Sequence, residues 1–178
     1  MRTATLVLVA YVLCVVVAAS WLALPHALRD AIPDIGALTA AYLGLTARRD
    51  VAPAVGGSIA LGYLVDLVSG SPAGLAALVL GLTCLVARAV QQRIYVRGTT
   101  MTIAFSAFVS IVTSLAAIVV RALYGMPRAS WSVELRHLAL VAIATAAIGP
   151  LVWRVFRRID AAYARTHRDR EAALEGIR

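Results

Sequence analysis

The sequence predicts an all-α integral membrane protein, a bundle of six transmembrane helices. Three observations carry that reading. Hydrophobic residues make up 61% of the 178-residue chain and the mean hydropathy is +0.85, well above the roughly 45–50% apolar share of soluble domains. The apolar residues fall into runs separated by Pro, Gly and Arg. The charges cluster at the ends of those runs instead of spreading along amphipathic faces. At about 20 residues per span, no more than about six helices and short loops fit, so one membrane domain over 1–156 is expected, followed by a basic tail over 157–178.

The first run, 5–24, has Arg2 in front and Pro25, His26, Arg29 and Asp30 behind. It exceeds the roughly 7–15 apolar residues of a signal peptide core and reads as a retained span. The second, from 32 or 33 to 47, starts beside Pro33 and Asp34, ends at Arg48, Arg49 and Asp50, and is short. The third, 52–69, covers about 27 Å as a helix, enough to cross hydrocarbon. Ser69, Gly70, Ser71 and Pro72 break it. With Ser71 as N-cap and Pro72 at the first helical position, a fourth helix starts at once and returns to Arg88, Gln91, Gln92 and Arg93, making a tight antiparallel hairpin.

A fifth run opens at Thr99 or Thr100 and continues to Tyr124, where Gly125, Met126 and Pro127 stop it. The sixth starts near Ser132 and Val133 and reaches Phe156, with a kink expected at Pro150. From Arg154 to the end the chain holds seven arginines against four acids and reads as a frayed helical tail. That tail suits anionic lipid headgroups, a cytoplasmic partner, or a solvated anchor.

The formal charge is +8 and all 17 basic residues are arginine. If six spans alternate, Arg2, Arg48, Arg49, Arg88, Arg93, Arg97, Arg154, Arg157 and Arg158 fall on one side, leaving Arg29, Arg121, Arg128 and Arg136 on the other. The positive-inside rule then makes both termini cytoplasmic and turns the Ser71 region outward. Trp21, Tyr124 and Trp131 at the outer boundary, with Tyr95 and Trp153 at the inner one, fit an aromatic belt. Because the arginines bracket apolar runs instead of forming an aromatic-laced patch, nucleic acid is not an expected partner.

No catalytic set appears, no metal site and no cofactor motif. There is no phosphate loop, HExxH or nucleophile elbow, and His26, His137 and His167 lie in separate end regions. Cys14 and Cys84 sit inside apolar runs without Cys or His neighbours. A non-enzymatic protein is expected.

Asp66 is the one carboxylate clearly within these apolar runs, near the end of the third. An intramembrane charge faces protein, water or a partner, whereas one within a turn of the helix end can reach the interface. Gly36, Ala40 and Gly44 repeat every four residues, as do Gly62, Asp66 and Gly70, so each set lies along one helix face. Such faces pack helices within a monomer or receive a partner helix. Thr99, Thr102, Ser106, Ser110 and Thr113 form a hydroxyl stripe on span five. It can line a pocket, bond a neighbouring helix, or bond back to its own i−4 carbonyls.

Residues 33–78 resemble the rod shape-determining protein MreD family. The likeness lies in Pro33 and Asp34 leading an apolar helix, an arginine-bearing turn, and then Gly62, Asp66, Gly70, Pro72, Gly74, Ala77 and Leu78 as G-x-x-x-D-x-x-x-G-x-P-x-G-x-x-A-L. The resemblance implies a scaffold subunit of the bacterial cell-elongation machinery. Its implied partners are the bitopic protein MreC and, through it, MreB filaments, RodA and a penicillin-binding protein. It also implies a fold similar to the substrate-binding subunits of energy-coupling vitamin transporters. Gly62, Asp66, Gly70, Pro72 and Gly74 are then the candidate partner-binding residues, around a groove between spans three and four. The competing class is a small-molecule-binding subunit of an uptake transporter, with Thr102, Ser106 and Ser110 lining a pocket.

Overall fold

A computed structural model describes residues 2–22, 31–47, 50–93, 98–126 and 130–175; the side chains of 21–22 and 166–175 are not among those described. Within these residues all regular structure is helical: α1 (Arg2–Leu22), α2 (Ile35–Thr46), α3 (Ala52–Ser69), α4 (Leu75–Gln91), α5 (Thr99–Leu123) and α6 (Trp131–Glu175). His26, Arg29, Asp30, Arg48, Arg49, Tyr95, Arg97, Pro127 and Arg128 lie outside the described residues, as do the side chains of Trp21 and His167.

Local chemistry sets the helix ends. Asp34 caps α2 by accepting the Ala37 amide at 2.7 Å. Pro53 sits in the first turn of α3, where its missing N–H costs no hydrogen bond. Gly70 ends α3 at φ 65°, a conformation that penalises any Cβ. Beyond α5, Gly125 at φ 65° lets the Gly125 and Met126 amides turn back to the Ala122 and Arg121 carbonyls at 3.2 and 3.1 Å, which is the Schellman closure.

The burial pattern is that of a protein dissolved in hydrocarbon. Leu8, Val16, Leu67, Leu115, Val119 and Leu151 face outward, while Thr39, Ser58, Thr83, Ser106, Ser110 and Thr145 are buried. Four helices, α1, α3, α5 and α6, are long and apolar enough to cross a membrane; α2 and α4 are shorter.

α2 is the axis of the bundle. It touches each of the other helices, and these surround it in the order α1, α3, α4, α5, α6, with α6 meeting α1 to close the ring. Residues 35–44 are all buried. Twelve residues cover about 18 Å, against roughly 30 Å of hydrocarbon. The C-terminal end of α2 lies at the arginine-rich end of the bundle, where the Ala47 carbonyl accepts from Arg88 Nη1 at 2.5 Å. Its N-terminus therefore stops inside the bundle, about 12 Å short of the opposite boundary.

Two expectations change, at Ser71 and at Trp153. Ser71 does not cap α4: Gly74 occupies the N-cap at φ 99° and the helix begins at Leu75, because Asp66 claims the Ser71 hydroxyl and the first amides. α6 runs through Pro150 as one helix of 45 residues. The helical tail continues α6 to Glu175. Trp153 does not belong to a boundary belt. It is buried, edge-on to Tyr42 at 5.6 Å and to Phe105 at 5.9 Å between ring centroids, while Tyr124 and Trp131 are exposed as expected of belt residues.

Candidate functional site

The α3–α4 hairpin is built on Asp66. Only 2% of this residue is exposed, and its carboxylate accepts from the Ser71 hydroxyl at 2.6 Å and from the Gly74 and Ala76 amides at 3.0 Å. The Ala77 amide adds a longer bond of 3.4 Å. These amides are the orphan donors of the first turn of α4, so an anion placed there satisfies them and the positive end of the helix together. The acid is tolerated in an apolar hairpin because one helix caps the next with it.

One turn earlier on the same face, Gly62 lies against α4. A Cβ there would come within 2.5 Å of the Ala76 carbonyl and the Ala77 backbone. The two helices are thus in backbone contact at this level, and no groove separates them. Gly70 and Gly74 bracket the turn with positive φ, and Gly70 and Pro72 are exposed at its tip. Gly44 on α2 likewise faces α4, where a Cβ would meet the Cys84 carbonyl and Ala87. The small-residue faces serve helix contact inside the chain.

At the arginine-rich end, the Arg2 guanidinium donates to both Asp160 carboxylate oxygens at 2.6 Å. The Tyr42 hydroxyl donates to Asp160 at 2.6 Å, and Thr5 and Tyr163 share a bond of 2.5 Å. This ties the start of α1, the C-terminal half of α2 and the extension of α6 together on one side of the bundle.

Two cavities of about 300 and 480 Å³ adjoin the inner end of α2, and both are lined by Ile32, Asp34, Thr113 and Ala117. The larger also has Arg121 on α5 with Glu134 and His137 on α6. Beneath them a polar layer crosses the bundle: the Asp34 amide donates to Thr145 Oγ1 at 2.9 Å, Ser110 reaches the same hydroxyl at 3.5 Å, and Thr83 and Thr113 are 3.0 Å apart.

Of the hydroxyl stripe, Thr113 lines both cavities. Thr102 and Ser106 donate to the Gly98 and Thr102 carbonyls at 2.9 and 2.7 Å, closing on their own helix. Among the described residues no group of three or more His, Cys, Asp or Glu is arranged to hold a metal. Cys14 and Cys84 are both free thiols. The cavities went unread in the sequence because Arg121, Glu134 and His137 sit near run ends and look like boundary residues. The shortness of the second run was the available signal.

No curated protein and no solved structure matches the chain. The family model described as rod shape-determining protein MreD matches residues 1–159, which takes in α1 to α5 and α6 as far as Ile159. This multi-pass membrane protein belongs to the rod shape-determining MreD family, and its role is in rod shape determination.

Proposed function

We propose that the protein is a non-enzymatic scaffold of the bacterial inner membrane that binds MreC and, through it, couples MreB filaments to RodA and a penicillin-binding protein. Both termini are cytoplasmic in this reading. The pairing of Arg2 with Asp160 supports it by holding the first helix and the α6 extension on one side, and Arg88, Arg154 and Arg157 share that basic end.

The observation that carries the partner assignment is the Asp66-capped hairpin within the family-matched region. Its carboxylate and four supporting positions, Gly62, Gly70, Pro72 and Gly74, hold the turn in one shape, and preorganised surfaces bind without an ordering cost. Asp66 and Gly62 act from inside; Gly70, Pro72 and the exposed Ala73 meet MreC.

Co-purification of MreC with the full chain from detergent extracts tests the reading. A73R places a bulky cation on the exposed turn without touching the Asp66 bonds. It should cut MreC recovery about tenfold, unsettle rod shape in cells relying on the chain, and leave thermal stability unchanged. Full recovery with intact rods removes the hairpin as the contact.

A further inference from the structure

We infer that the adjoining cavities at the inner end of α2 form one binding site for a zwitterionic amphiphile, separate from the hairpin assigned to MreC. The argument begins with α2 itself. Five helices surround it, yet it ends about 12 Å below the outer boundary, so the ring encloses space that no helix fills. That space is the pair of cavities sharing Asp34 and Thr113.

Their lining is polarised along the membrane normal. Arg121 lies in the last turn of α5 and Glu134 in the first turn of α6, so opposite charges flank the outer end of the larger cavity. Neither of their side chains, nor that of His137 one turn deeper, makes a hydrogen bond or ion pair among the described residues. Thr113 is eight residues from Arg121, or about 12 Å inward. Between these levels the wall is Ala117, Ile118, Leu138 and Val141. The smaller cavity continues among Val17, Val65, Val79 and Leu80.

The ligand class follows from that gradient. A guanidinium and a carboxylate at one rim match a molecule with an anionic group for Arg121 and an ammonium for Glu134. A purely anionic headgroup would set like charge against Glu134, and an uncharged chain would engage neither rim charge. The apolar wall of Ala117, Ile118, Leu138 and Val141 takes an aliphatic chain. A partner helix is excluded by size, since it is about 10–12 Å wide with its side chains and the inner cavity holds about 300 Å³.

The test uses the purified full-length chain in a non-ionic detergent, with binding read by calorimetry and by the ligand-induced shift of thermal unfolding. The probes are dihexanoyl phosphatidylethanolamine, dihexanoyl phosphatidylglycerol and free phosphoethanolamine. The ethanolamine lipid should bind at least tenfold tighter than the other two. R121A should weaken it about tenfold, and E134Q should bring the two lipids level; both side chains reach the cavity without structural bonds, so unliganded stability should hold. Equal binding of the two lipids by the unaltered chain overturns the site, as does equal binding of phosphoethanolamine, which would point to a soluble zwitterion. Undiminished binding by both variants, or no binding of the ethanolamine lipid at all, overturns it too.

Discussion

The Ala76 amide, ten residues beyond Asp66, points at both oxygens of that carboxylate from 3.0 Å. The side chain near the end of α3 is therefore the N-terminal cap of α4. A cap drawn from the previous helix fixes the turn between them as well as the helix start. It needs a residue whose charge is affordable in lipid only while every oxygen is engaged.

Substituting Asp66 by Ala strips the Gly74 and Ala76 amides and the Ser71 hydroxyl of their acceptor inside the fold. Leaving buried donors without partners costs about 1–3 kcal/mol, so D66A should lower the thermal midpoint in detergent. D66N keeps one oxygen and should fall between D66A and the unaltered chain. A D66A protein as stable as its parent would show that these bonds do not carry the hairpin.

Gly62 and Gly56 lie on the same helix and should respond oppositely to Ala. At Gly62 the new methyl would sit 2.5 Å from the Ala77 backbone, so α3 and α4 must part, at about 1–3 kcal/mol for overpacking. Nothing lies within 4 Å of a Cβ on Gly56, and Ala there should stabilise by roughly 0.5–1 kcal/mol through helix propensity. Paired thermal melts of G62A and G56A check the contrast; two shifts of the same sign would contradict it.

These two residues also show what the sequence makes legible. Their helix is readable because Ala52–Ser69 is an apolar run closed by Gly70, and the four-residue spacing of Gly62, Asp66 and Gly70 marks one face. Which helix that face meets, and that Asp66 would take the cap position from Ser71, depends on where α4 returns, which no local pattern encodes. Trp153 looks like a belt aromatic by its place near a run end. Its burial follows from Tyr42 and Phe105 on two other helices, and Arg2 and Asp160 are 158 residues apart.

That distant pair yields a third prediction. Arg2 and Asp160 are 42% and 21% exposed at the side chain, so solvent screens their attraction. The two-pronged geometry and the Tyr42 hydroxyl on the same carboxylate lift the pair toward the upper part of the roughly 0–1 kcal/mol seen for exposed ion pairs. A double-mutant cycle with R2A and D160A, followed by chemical unfolding in detergent, should return a coupling near that value and diminish with salt. D160A should also loosen the α6 extension, seen as faster proteolysis beyond Tyr163. Zero coupling together with unchanged proteolysis would mean that the apolar cluster around Phe156 holds α6 unaided.

The buried hydroxyls separate into two classes, and a fourth prediction rests on the difference. Ser106 returns its proton to the Thr102 carbonyl of its own helix, a carbonyl that already has its helical partner. S106A therefore removes a donor without orphaning an acceptor, and the loss should stay below about 1 kcal/mol. Thr145 is the acceptor for the Asp34 amide at 2.9 Å, which lies at the start of α2 inside the bundle. T145V keeps the shape and removes that acceptor, so an amide in low dielectric is left unmatched at about 1–3 kcal/mol. T145S restores the oxygen and should recover most of the loss. Because Asp34 lines both cavities, T145V should also raise hydrogen exchange at the Asp34 amide, an effect that S106A, with no bond to α2, should not produce.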